Sequence, residues 1–206
     1  MSRKLIIFIG IFYLVGIIGM SFGPYRSVFS GLSFFHLLRS FGILLLGRKK
    51  QTASLWAFIG LAFATGMLVE WIGIHTGILF GSYQYGNVLG PKLMGVPLII
   101  GVNWAMLSIV SVSLLASLSL GFWIEVVLGA LLMVFIDFLM EPVAVKLGFW
   151  YWTDGVIPAY NYVCWLGISL LLQFVYRKWR LNESNNVAVA LFIYMTIFFT
   201  FLNFRL

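Results

Sequence analysis

Seven apolar runs, at roughly 5–22, 28–46, 53–74, 96–118, 121–140, 160–176 and 187–204, take up most of this 206-residue chain. Each approaches the ~20 residues a helix needs to cross a bilayer. Within hydrocarbon a backbone must satisfy its own hydrogen bonds, so such runs imply helices and not open strands. The expectation is an all-α, polytopic transmembrane helix bundle of about seven spans, one integral membrane domain over 1–206. Composition agrees: 9% of the residues are charged and 62% hydrophobic, where soluble domains carry about 25% charged residues. The mean hydropathy is +1.05. Arg3 and Lys4 before the first run resemble the start of a signal peptide. The run continues to Met20 with no small-residue cleavage site after it, which reads as a first span. Cys164 is the only cysteine, so no internal disulfide is possible.

The net charge of +7 does not point to nucleic acid, because most basic residues fall in short loops where they orient a membrane protein. If all seven runs cross, one side holds eight of them: Arg3, Lys4, Arg48, Lys49, Lys50, Arg177, Lys178 and Arg180. The other side holds four, Arg26, Lys92, Lys146 and Arg205, with Arg39 left inside the second span. That asymmetry predicts a multi-pass cell-membrane protein with the N-terminus cytoplasmic and the C-terminus outside. In this topology the third and fifth spans both run outward. Glu70, near the end of the third, and Asp137 and Glu141, near the end of the fifth, should then meet at the outer face. Glu125 begins the fifth span and reads as a cap-like surface charge. Asp154 and Glu183 read as solvated loop acids.

Two outer loops are poor in charge and rich in glycine and aromatics: "HTGILFGSYQYGNVLGPKLMGVP" (75–97) and "KLGFWYWTDGVIPAYNY" (146–162). Irregular backbone near membrane depth survives where it is buried in protein or lines a cavity, so both loops should be structured. Gly73, Gly77 and Gly81, spaced by four, either let the third span continue and pack closely or serve as loop glycines.

Asp137 and Glu141 lie four apart and so share a helix face, in the last turns ahead of Pro142. Burial and a helix C-terminus both oppose negative charge there, and two neighbouring acids oppose it further. A neutral acid beside an ionised one suits a general acid working with a base that positions water. The alternative is a structural pair bonded to loop amides. Glu70 faces the same choice, its alternative being a salt bridge to Lys92 or Lys146. His75 is either a proton carrier or an interfacial histidine. His36 and Arg39 read as structural, with Arg39 extending toward Arg48. Asn103 reads as a bond between helices. No histidines and acids have credible metal-ligand spacing, and no serine lies in a nucleophile motif. Trp150, Tyr151, Trp152, Tyr160 and Tyr162 form either an interfacial belt or a set of ring faces that stabilise a cation near the acids. Asn161 would orient a water or a substrate hydroxyl, or bond at the interface. Tyr83, Tyr85 and Asn87 present the same alternatives.

At these motifs the chain resembles the carotenoid biosynthesis membrane family typified by the CruF-type carotenoid 1,2-hydratases. The family's E-x-x-G-x-x-T-G-x-x-F-G-x-Y-x-Y run is met by Glu70, Gly73, Thr76, Gly77, Phe80, Gly81, Tyr83 and Tyr85. Its L-G-P-x-L-x-G-V-P run is met by Leu89, Gly90, Pro91, Leu93, Gly95, Val96 and Pro97. "DFLMEPVAVKLGFWYW" resembles the family's D-x-x-x-D-P-V followed by G-x-W-x-W, with Glu141 where the family usually has Asp. "VIPAYN" stands for its Gly-Val-Pro-x-x-Asn element on a shortened loop. The resemblance covers about 60–167. It implies a cofactor-independent hydro-lyase that adds water to the terminal double bond of an acyclic carotenoid end group. The partners would be that carotenoid, water and membrane lipids, with no nucleic acid and no metal. Glu70, Asp137 and Glu141 would be catalytic, and Tyr83, Tyr85, Asn87, Trp150, Trp152 and Asn161 would bind substrate. Two other functions fit a membrane carboxylate cluster: a proton-coupled transporter or flippase, and a non-catalytic carotenoid- or lipid-binding protein.

Overall fold

The computed structural model describes residues 2–206. Its helices are α1 (Ser2–Ser21), α2 (Arg26–Gly31), α3 (Ser33–Leu46), α4 (Ala53–Thr76), α5 (Leu98–Leu115), α6 (Phe122–Lys146), α7 (Ala159–Lys178) and α8 (Asn186–Arg205). Four short strands, β1 (Tyr83–Tyr85), β2 (Lys92–Leu93), β3 (Val96–Pro97) and β4 (Trp150–Trp152), lie in the two aromatic loops. Among the described residues six helices are long and apolar enough to cross a membrane. The α2–α3 pair, bent by 54°, makes a seventh span if counted as one. The expected all-α membrane bundle is what the chain forms.

The ends of several helices are set by their own residues. Thr52 caps α4 by accepting from the Leu55 N–H at 3.2 Å. Asn185 caps α8 by accepting from Val187 and Ala188 at 3.0 and 3.4 Å. Gly77 stops α4 in the left-handed region, φ +66°, its N–H closing onto the Gly73 carbonyl at 2.9 Å. The third span therefore ends at Thr76 and does not run on through the spaced glycines.

α5 forms the centre of the bundle. In its membrane-length window 83% of the residues are buried, against 28–39% for the other five long helices. A helix that is apolar all round belongs inside, and glycines let its neighbour come close. A Cβ at Gly66 on α4 would stand 2.5 Å from the Trp104 ring, and one at Gly101 on α5 would stand 2.6 Å from Phe63. The approach fixes Trp104 opposite the last turns of α4.

Four sequence expectations need correction. α6 passes through Pro142 and ends at Lys146, so Asp137 lies deeper than the final turns, while Glu141 stays within the last two. A membrane helix tolerates such a proline when neighbours bond to freed backbone groups. Asn203 on α8 donates to the Leu139 carbonyl at 2.7 Å, next to the Phe138 carbonyl whose helical donor Pro142 removes. Glu125 is not a surface charge: it is buried and pairs with Arg177 on α7 at 2.5 Å. Glu183 is tied to Arg48 at 3.4 Å and accepts from the Lys49 N–H at 2.6 Å. Arg39 does not extend toward Arg48. It donates to His36 Nδ1 at 2.7 Å, and its guanidinium lies 3.4 Å from the centroid of the Phe12 ring, a cation–π contact that substitutes for water.

Candidate functional site

β1 follows α4 and β4 follows α6, and the two strands pair antiparallel, Tyr83 opposite Trp152, Gln84 opposite Tyr151 and Tyr85 opposite Trp150. Side chains alternate between the faces of a strand. "YQY" and "WYW" therefore present Tyr83, Tyr85, Trp150 and Trp152 to one face, and Gln84 and Tyr151 to the other. The inner four are buried or half-buried, while Gln84 and Tyr151 are exposed. The sheet thus turns four aromatic hydrogen-bond donors onto the carboxyls of α4 and α6.

Glu70 accepts on Oε2 from the hydroxyls of Tyr83 and Tyr85, the latter at 2.7 Å, and on Oε1 from Trp104 Nε1 at 3.1 Å. Glu141 accepts on Oε2 from Trp150 Nε1 and Trp152 Nε1, both at 3.0 Å. Asn161, at the start of α7, bridges the pair on α6: its Nδ2 donates to Asp137 Oδ2 at 3.1 Å and to Glu141 Oε1 at 3.4 Å. Asp137 is completely buried, and its Oδ1 has no hydrogen-bond partner in the protein. Burial, and after it the Glu70 carboxyl, pushes the Tyr83 and Tyr85 phenols well above the ordinary phenol value. Both stay protonated and keep donating.

Among the described residues no lysine or arginine pairs with these three acids. Lys92 donates instead to the Tyr85 carbonyl at 2.8 Å and to Asn87 at 3.2 Å. That excludes the expected alternative of a salt bridge from Glu70 to Lys92. All three carboxyls line one cavity of about 390 Å³, as do Tyr83, Tyr85, Trp150, Trp152 and Asn161. Asn87 does not: it is exposed and outside the cavity wall. His75 is also exposed, its ring bonded to the Trp71 carbonyl at 2.9 Å. Tyr151 and Tyr160 face outward. Asn103 lines the cavity.

Two residues of the site lie outside the motif loops. Trp104 on α5 donates to Glu70, and Trp165 on α7 stacks on its ring with centroids 3.8 Å apart and planes at 13°. Both lie in apolar helices, where a tryptophan reads as ordinary core. The available signal was Gly66, a small residue facing a large one on the next helix. The loops are pinned to α7 as well: Cys164 Sγ accepts from the Phe80 N–H at 3.3 Å, holding Phe80 at φ +66°.

This arrangement can hold an apolar group against three carboxyls beneath aromatic ring faces. Comparison with curated proteins and with solved structures gives no match. Residues 22–205 match the family described as carotenoid biosynthesis protein, well past the 60–167 core in which its motifs are legible. The chain, a helical membrane protein, belongs to the carotenoid biosynthesis protein family.

Proposed function

We propose that this protein is a carotenoid hydratase that adds water across the terminal trisubstituted double bond of an acyclic carotenoid end group. The observation that carries the reading is the group of three carboxyls, paired with no lysine or arginine, in the wall of a cavity lined mostly by aromatic and apolar side chains. Three uncompensated negative charges are costly in such a place, so the cluster holds at least one proton.

The hydrogen bonds divide the labour. Glu70 accepts three donors and Glu141 three, counting Asn161. Donors in that number stabilise a carboxylate. Asp137 accepts one, and its buried Oδ1 has no protein partner. Asp137 is therefore the proton donor. Its O–H bond breaks as a C–H bond forms on the less substituted alkene carbon, and the π electrons leave a tertiary carbocation next to it. The faces of the surrounding rings stabilise that cation. Water held near Asn161 attacks it, forming the C–O bond, and the oxonium gives its extra proton to the Glu141 carboxylate. Return of that proton from Glu141 to Asp137, which share Asn161, restores the starting state, so the net change is one water added; the reaction is redox-neutral and calls for no cofactor. Glu70 holds Tyr83, Tyr85 and Trp104 in position and adds negative potential beside the cation.

Expression in cells that make an acyclic carotenoid tests the reading. Pigment extracts should gain a more polar tertiary alcohol, and a chain that only binds carotenoid would leave the pigment unchanged. The sheet end of the bundle, where this chemistry meets water, is proposed to face outward, with the N-terminus cytoplasmic, from the asymmetry of the basic loops. With Cys164 replaced by Ala, cysteines at Lys49 and Lys92 should label with an impermeant thiol reagent from opposite sides of the membrane. Labelling from one side would reject the orientation.

A further inference from the structure

The cavity that ends at the acids has a second wall, built from α1, α2, α3 and α8. Three residues of that wall, Val15 on α1, Leu32 at the α2–α3 break and Phe35 on α3, also stand on the outer surface, 44%, 49% and 63% exposed. A side chain that meets both the cavity and the exterior marks a rim. These three lie within candidate spans, where the exterior is lipid. The rim is apolar, as a mouth to hydrocarbon must be.

Elsewhere α1 is sealed. A Cβ at Gly10 would stand 2.8 Å from Tyr194 on α8, and one at Gly19 would stand 2.3 Å from the Phe29 ring on α2. Val15 lies on α1 between these close contacts, and the 54° bend at Leu32 swings α2 off the α3 axis. Deeper on this wall Arg39 bonds His36 and lies over the Phe12 ring, while His36 Nε2 and Arg39 Nε have no protein partner. The cavity volume, about 390 Å³, accommodates an isoprenoid end group and part of its chain. A full-length carotenoid is longer than that enclosure, so the rest of it must leave through a wall.

We propose that Val15, Leu32 and Phe35 frame a lateral portal through which an acyclic polyene enters from the bilayer. Its end group reaches the acids while the remaining chain lies between α1 and α3 and in the lipid. This rests on the hydratase reading for the choice of occupant, but the route concerns binding and not chemistry.

The test uses the full chain in lipid vesicles carrying an acyclic full-length carotenoid, with binding read from the circular dichroism induced in the polyene. Val15→Trp narrows the portal and should weaken the signal's half-saturation about tenfold or more, the scale at which one apolar contact discriminates. Val127→Trp, on an exposed face of α6 away from the cavity, should bind like the unaltered protein. Should Val15→Trp fail to insert, Leu32→Trp closes the same rim. Unchanged binding in the portal variants, or no induced signal with the unaltered protein, overturns the proposal. Polyene binding that portal variants weaken, with no alcohol formed, supports the portal and counts only against the hydratase reading.

Discussion

Asp137→Asn should abolish the hydrated product while leaving the protein folded and in the membrane. The exchange removes the proton and keeps the shape. The Asn161 contact survives, because an asparagine oxygen still accepts the Nδ2–H that now reaches Asp137 Oδ2 at 3.1 Å. Oδ1 has no protein partner to lose. Removing a buried ionisable group without adding a clash leaves stability level or raises it. The rate falls by the worth of general acid catalysis, about 10²–10⁴-fold, enough to empty the product peak in a pigment extract. Thermal stability in detergent supplies the folding control. Wild-type amounts of alcohol from the asparagine variant would remove Asp137 from the chemistry. If Glu141→Gln and Glu70→Gln also left product unchanged, the cluster would be structural and the protein a binder.

Gly86→Ala should be nearly as damaging to activity by a different route. Gly86 follows β1, and its N–H bonds the Phe149 carbonyl at 2.9 Å, just ahead of β4. A Cβ there would stand 2.1 Å from the Gly148 carbonyl oxygen, a backbone atom with no rotamer to retreat into. The strands must separate. Because the sheet is what turns Tyr83, Tyr85, Trp150 and Trp152 inward, one methyl group disturbs four of the donors around Glu70 and Glu141 together. Overpacking of this kind costs about 1–3 kcal/mol, and misplacement of catalytic groups by about 1 Å can cost roughly 10²-fold in rate. The expected signature is a lowered melting temperature together with lost product, in contrast to Asp137→Asn. A Gly86→Ala variant with normal activity would show that the sheet is not what aims the aromatic donors.

What could be read from the sequence is what depends on near neighbours. Hydropathy is local, so the spans were legible, including the second one. Its break was not, although Gly31 and Leu32 sit between Ser30 and Ser33, because no proline or charge marks it. The end of α6 was misjudged because Pro142 reads as a stop signal in isolation, yet the helix runs on to Lys146. Glu125 looked like a cap charge because its position explained it, while its partner Arg177 lies in another helix.

At the site, the acids and loop aromatics stood out as polar or aromatic residues in unusual company, and the family motifs sharpened them. Their mutual arrangement was hidden, since the pairing of "YQY" with "WYW" joins loops on either side of two helices. The alternating pattern inside each tripeptide was the only local hint. Asn87 shared the motif run but sits just beyond β1, where the chain has already turned outward. Trp104 and Trp165 gave no signal of their own beyond the small Gly66 that faces Trp104, because a tryptophan inside an apolar helix is indistinguishable from core until its N–H is seen to meet Glu70.

The central claim is that water is added at this cluster, and the origin of the hydroxyl oxygen tests it most directly. The purified protein, in lipid with an acyclic carotenoid and in water enriched in oxygen-18, should yield an alcohol whose new oxygen carries the label. The same reaction in deuterium oxide should leave one deuterium on the carbon next to it. An alcohol whose oxygen comes instead from dioxygen would contradict the account, since it would require an oxidation that protonation and water capture cannot perform.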